Sequence, residues 1–88
     1  MTLHLVFSIQ GWHACRRRQS VQDSVVLIGD GVYAYHAQEH ADVPANVHIV
    51  AEDAHIRGLK TLPQHLQIGY DDLVALCADH QPVISWND

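Results

Sequence analysis

V-V-L-I-G-D-G-V-Y, residues 25–33, decides the fold. Its four opening apolar residues form an uninterrupted, mostly β-branched run, the pattern of a strand buried on both faces. Gly29-Asp30-Gly31 then breaks the strand, and Asp30 stands where it can cap a helix that starts at Val32. A doubly buried strand that runs straight into a helix opens a βαβ unit. The stretch is therefore expected to be the central strand of a small parallel sheet.

Working outward from it, the N-terminal side offers a strand over Leu3–Phe7, a loop at Ser8–Gly11 with Ser8 or Gly11 as the cap, and about two turns of helix over Trp12–Gln19. In that helix Trp12 and Cys15 are spaced to face the sheet, and Arg16, Arg17 and Arg18 point to solvent. On the C-terminal side the helix carrying Val32, Tyr33, Ala34 and Ala37 fades in Gln38-Glu39-His40, and Pro44 marks a loop. Val47–Val50 is the next strand, and Glu52-Asp53 opens a short helix that Gly58 ends as its C′ glycine. Leu66–Ile68 is a short strand or extended segment. Gly69 or Asp71 caps a helix through Ala78, with Leu73, Val74, Leu76 and Cys77 inward. Val83–Trp86 is the last strand. About five strands alternating with four helices make an α/β domain over 1–88, an open parallel sheet flanked by helices in a Rossmann- or flavodoxin-type three-layer arrangement.

The bulk numbers narrow the function. In 88 residues with a formal charge of −5 there is one small domain with a thin core, which burial against a partner would help. Arg16-Arg17-Arg18 is the only basic cluster, so direct nucleic-acid binding is not expected. No long apolar run occurs, which predicts no membrane span and a cytoplasmic location. Cys15 and Cys77 are too far apart in sequence to be a disulfide framework.

Several motifs invite chemistry. G-D-G-V-Y-A at Gly29–Ala34 formally matches a dinucleotide fingerprint, with Glu52 about where a ribose-binding acid would stand. Against that, Asp30 would aim a carboxylate at the pyrophosphate, and the second mononucleotide half is missing. His36 and His40 share a helical face at i, i+4, but no third ligand accompanies them, and His13 and Cys15 splay apart; no metal is expected. Eight histidines make the charge depend on pH between about 5 and 7. Glu52-Asp53 and Asp71-Asp72 lie at helix starts, where carboxylates are stabilising without any catalytic role.

With these residues in place, the chain resembles the TusB/DsrH family of small sulfur-relay proteins, of the DsrE-like superfamily. The likeness is carried in order by H-L-V at His4–Val6, D-G-V-Y-A at Asp30–Ala34, A-E-D-A-H-I-R-G-L at Ala51–Leu59, I-G-Y-D-D-L-V-A-L at Ile68–Leu76 and P-V-I-S-W at Pro82–Trp86. It departs from the family in a shorter Phe7–Ala14 segment and in Gly69, where an acidic residue is usual. The resemblance implies a DsrE-like fold and a place in a heterohexamer with TusC/DsrF-like and TusD/DsrE-like sister subunits. That complex passes persulfide sulfur toward tRNA 2-thiouridine or in dissimilatory sulfur oxidation, with no cofactor. It implies a mainly architectural chain, the principal sulfur carrier being on a sister subunit.

Cys15 corresponds to the cysteine that DsrH-like members carry on the first helix, which makes it the candidate persulfide carrier. Arg16, Arg17 and Arg18 would favour its thiolate. The alternative is a small apolar residue packed beside Trp12; for Cys77, among Leu73, Val74 and Leu76, the core reading is the stronger. Trp12, Tyr33, Tyr35 and Trp86 are divided between core and partner surface.

Overall fold

A computed structural model describes residues 2–20, 22–37, 46–59 and 62–87. The order is β1 (Leu3–Val6), α1 (Ile9–Arg16), β2 (Ser24–Leu27), a 3-10 turn (Gly29–Val32) running into α2 (Tyr33–Ala37), β3 (Val47–Val50) and α3 (Ala51–Ile56). A second 3-10 turn (Gln64–Leu66), β4 (Gln67–Ile68), α4 (Tyr70–Asp79) and β5 (Val83–Trp86) complete it. The strands form one sheet in the order β4-β3-β2-β1-β5. Every pairing is parallel. The chain is thus a five-stranded α/β domain with β2 in the middle, as the apolar run predicts.

Period-two alternation sorts the strand residues between two layers. Val6, Val25, Leu27, Val47 and Ile49 pack with Trp12, Cys15, Val32, Ala34, Tyr35 and Ala54 on one face. Leu3, Val26 and Val50 turn to the other, where Leu73, Leu76 and Cys77 of α4 cover them. Right-handed crossovers explain the split: steps from β1 through β4 all run one way and leave α1, α2 and α3 together, whereas the return from β4 to β5 puts α4 opposite. The first layer is well sealed, with Trp12 at 1% exposure and Cys15 at 0%. The second is thin: no residue of α4 is buried.

Several local expectations are corrected. The first helix starts at Ile9, not Trp12, because the Ser8 hydroxyl accepts the Gly11 amide at 2.9 Å and nucleates it earlier. Asp30 caps nothing: it lies inside the 3-10 turn, which has no side-chain cap, and it takes the Arg57 guanidinium at 3.0 Å instead. Of the two caps offered for α4, Gly69 takes the N-cap position and not Asp71, and the Asp72 carboxylate accepts its amide at 3.1 Å. Val74 faces solvent at 68% exposure, since only Leu73, Leu76 and Cys77 reach the sheet. Gly58 has φ +80° and ends α3 as a C′ glycine should.

Candidate functional site

Ligands of open α/β sheets sit beyond the carboxyl ends of the strands, where the chain switches from one face to the other. Here that point lies between β3, which leads into α3, and β4, which leads into α4. Asp53 in the first turn of α3 occupies it. One carboxylate oxygen accepts the Gly29 amide at 2.8 Å and the other accepts the Tyr70 hydroxyl at 2.7 Å. The same hydrogen bond, with burial and the Asp53 and Glu52 charges behind it, pushes the Tyr70 phenol up from its ordinary range. Arg57 donates to Asp30 Oδ1 at 3.0 Å and to the Asp53 carbonyl at 3.2 Å, tying the G-D-G turn to α3. The position a phosphate would take at Gly29 is thus held by the chain's own carboxylate.

The two fingerprint glycines serve the backbone. Gly29 has φ +57°, which favours glycine. A Cβ on Gly31 would stand 2.7 Å from the Val6 carbonyl carbon and closer still to its oxygen. Gly31 lets the turn close on the end of β1. Glu52, the expected ribose acid, is exposed and lines an open cleft of about 370 Å³ with Ala51, His55, Ile56 and Gln67.

Cys15 lies on the first-layer face of α1, fully buried, its thiol 3.8 Å from Gln19 Oε1. Burial, then the Asp23 charge, pushes that thiol up to about 11, against the smaller opposing effect of Arg16. The arginines do not prevail because desolvation of a thiolate outweighs charges that water screens. Arg16 lies over the Trp12 ring, 5.2 Å from its centroid, which shields the helix face that Cys15 shares. Cys77 is half-buried on α4 and Cys15 buried on α1, on opposite faces of the sheet, and both thiols are free.

A network that the sequence reading missed ties the chain's extremes together. Trp86 Nε1 donates to His4 Nδ1 at 3.0 Å, and His4 Nε2 meets Asp23 Oδ2 at 2.8 Å. The indole can only donate, so neutral His4 carries its proton on Nε2 and donates it to Asp23. Asp23 also accepts the Thr2 amide at 3.1 Å and the Ser20 amide at 3.0 Å. These hydrogen bonds, His4 first, hold its carboxyl well below the usual carboxylate range. The signal was present in L-H-L-V: a polar residue at an inward position of a strand needs a buried partner.

The other candidates separate. Trp12 and Tyr35 are core at 1% and 4% exposure, and Tyr33 is exposed at 39%. Trp86 is half-buried over the first layer. His13 is exposed while Cys15 is buried, so they share no site. The pair His36 and His40 lies outside the described side chains, and among the described residues no three His, Cys, Asp or Glu side chains converge as metal ligands. Among the described residues no helix is long and apolar enough to cross a membrane. A family model described as DsrH like protein matches residues 6–83. No curated protein matches the chain.

Proposed function

The chain belongs to the DsrH-like family, a family of sulfur-relay subunits, and from that premise we propose that it is the largely architectural member of a relay complex. Its partners in this reading are TusC/DsrF-like and TusD/DsrE-like sister subunits in a heterohexamer, and the sulfur it helps pass on is persulfide sulfur bound for tRNA 2-thiouridine. The observation that carries the scaffold role is an unfinished second layer together with a bare edge strand. α4 buries no residue, Val74 is 68% exposed, and Val83 and Ile84 of edge strand β5 are exposed at 41% and 38%. An uncharged, apolar edge strand beside a half-covering helix is what monomers avoid and subunits use.

The thiol chemistry supports the same reading. A relay cysteine must present a thiolate, and Cys15 is sealed under α1 with burial pushing its thiol up to about 11. The alternative, a sulfur-oxidation relay with Cys15 as carrier, requires α1 to lift before sulfur arrives. A nucleotide-binding role is disfavoured by the Asp53 carboxylate on the Gly29 amide.

Co-expression with TusC/DsrF-like and TusD/DsrE-like chains tests the proposal. A stable assembly on size exclusion is expected, with Val83 and Ile84 protected from hydrogen exchange inside it; a monomer that ignores both sister chains overturns it. Incubating that assembly with a cysteine desulfurase and cysteine, then mapping added sulfur by mass spectrometry, is expected to place it on a sister subunit. Persulfide on Cys15 would favour the alternative.

A further inference from the structure

We propose that α4 is a proton-operated latch: uptake of a proton by His48 releases α4 from the sheet and uncovers Leu3, Val26 and Val50. The inference stands apart from the sulfur-relay reading. It starts from two buried imidazole nitrogens, His48 Nδ1 and His80 Nε2, that have no hydrogen-bond partner among the described residues. His48 is on β3 in register with Val26, and so on the sheet face that α4 covers. His80 follows α4 directly and is 7% exposed. Its Nδ1 lies 2.9 Å from the Leu76 carbonyl and must donate to it, which leaves Nε2 a bare acceptor in the neutral ring.

A buried polar atom without a partner favours whatever state lets water reach it. Here that state is close at hand, because α4 is held by the half-buried Leu73, Leu76 and Cys77 and not by any fully buried side chain. The charges around His48 point the same way. From α4 comes Asp72, which favours a charged ring; from the segment after α4 comes His80, which opposes it; burial opposes it most, and the net effect lowers His48 from its ordinary value. Cys77 is the other titratable group of the apolar cluster; Val26 of β2, Ile28 directly after it and Ile68 of β4 are not titratable.

The sign follows. The docked state keeps His48 neutral, so docking is at full strength above about 6.5 and weakens as pH falls below it. One proton gained on opening makes opening up to tenfold more frequent per pH unit.

Hydrogen exchange on the full chain, corrected for intrinsic rates, tests this between pH 7.5 and 5.5. The amides of α4 are expected to lose up to about tenfold of their protection while those of α1, on the other face, change less than twofold. His48→Gln, neutral at every pH, is expected to flatten the α4 response. Parallel loss in α1 and α4, or an undiminished response in a folded His48→Gln chain, overturns the latch. Should the variant not fold, ring ¹⁵N shifts of the unmodified chain decide: His48 neutral down to pH 6.5 supports it, and His48 charged above that overturns it.

Discussion

Gly31→Ala separates the packing role of the G-D-G turn from a ligand-binding one. The added Cβ would stand 2.7 Å from the Val6 carbonyl carbon and 3.2 Å from the Phe7 nitrogen, both backbone atoms. Neither can rotate away as a side chain would, so the end of β1 or the whole turn must shift, furthest to clear the Val6 carbonyl oxygen, before the contact is ordinary. Overpacking of this kind costs about 1–3 kcal/mol, and a rigid strand end puts the cost near the top of that range. For a chain of 88 residues with about 4–13 kcal/mol of stability in all, a loss of about 3 kcal/mol lowers Tm by more than about 10 °C. Urea and thermal unfolding read it directly. Two glycines calibrate the scale. Gly58→Ala, at φ +80° with open space around it, is expected to lose about 1 kcal/mol from backbone strain alone. Gly69→Ser meets nothing within 4 Å and supplies a capping hydroxyl, so it is neutral or stabilising. A Gly31→Ala chain as stable as Gly58→Ala would refute the close approach to β1. In that case Gly31 is needed for something other than packing, and a titration with NAD or FMN becomes the next measurement.

Asp53→Ala strips the acceptor from the Gly29 amide and is expected to cost about 1–3 kcal/mol by urea unfolding, and ultraviolet titration should show the Tyr70 phenol returning down toward its ordinary range. Asp23 is held well below the usual carboxylate range in the folded chain, so its contribution is full above about pH 4 and is lost as pH falls further; Asp23→Asn should flatten that acid limb of stability. With its thiol near 11, Cys15 exposes a thiolate fraction of about 10⁻³ at pH 8, so alkylation followed by mass spectrometry should label half-buried Cys77 well before Cys15. Equal labelling of the two in the folded chain would contradict the sealed position of Cys15.

The fold was legible because the strongest signals were local and redundant. V-V-L-I reads as a doubly buried strand whatever surrounds it, and β2 indeed sits in the middle of the sheet. Caps were harder, because Ser8, Asp30, Asp71 and Asp72 are all competent and tertiary neighbours decide among them. Arg57, 27 residues away, claims Asp30. The site was legible only in part for the same reason. Asp53 read as a residue suited to a helix start, and it is one, but the Gly29 amide and Tyr70 hydroxyl come from two other elements that sequence order does not place beside it. For Cys15 the sequence left two readings, an arginine-favoured thiolate and a small apolar residue beside Trp12, because the balance between charge and desolvation depends on packing under Trp12 that sequence order does not give.

The His4 network has a bearing on how the chain assembles. From His4 the sequence separation is 19 residues to Asp23 and 82 to Trp86. Closing the longer loop costs about 1.3 kcal/mol more in chain entropy, a little over two doublings of length. Strands β1 to β4 each add beside their predecessor, so they zip up through short-range steps, while β5 must return across nearly the whole sequence to pair with β1. The indole at position 86 therefore arrives late on the pathway, after the imidazole has already settled on its carboxylate. Substitutions in β5 should quicken unfolding and leave the refolding rate nearly unchanged.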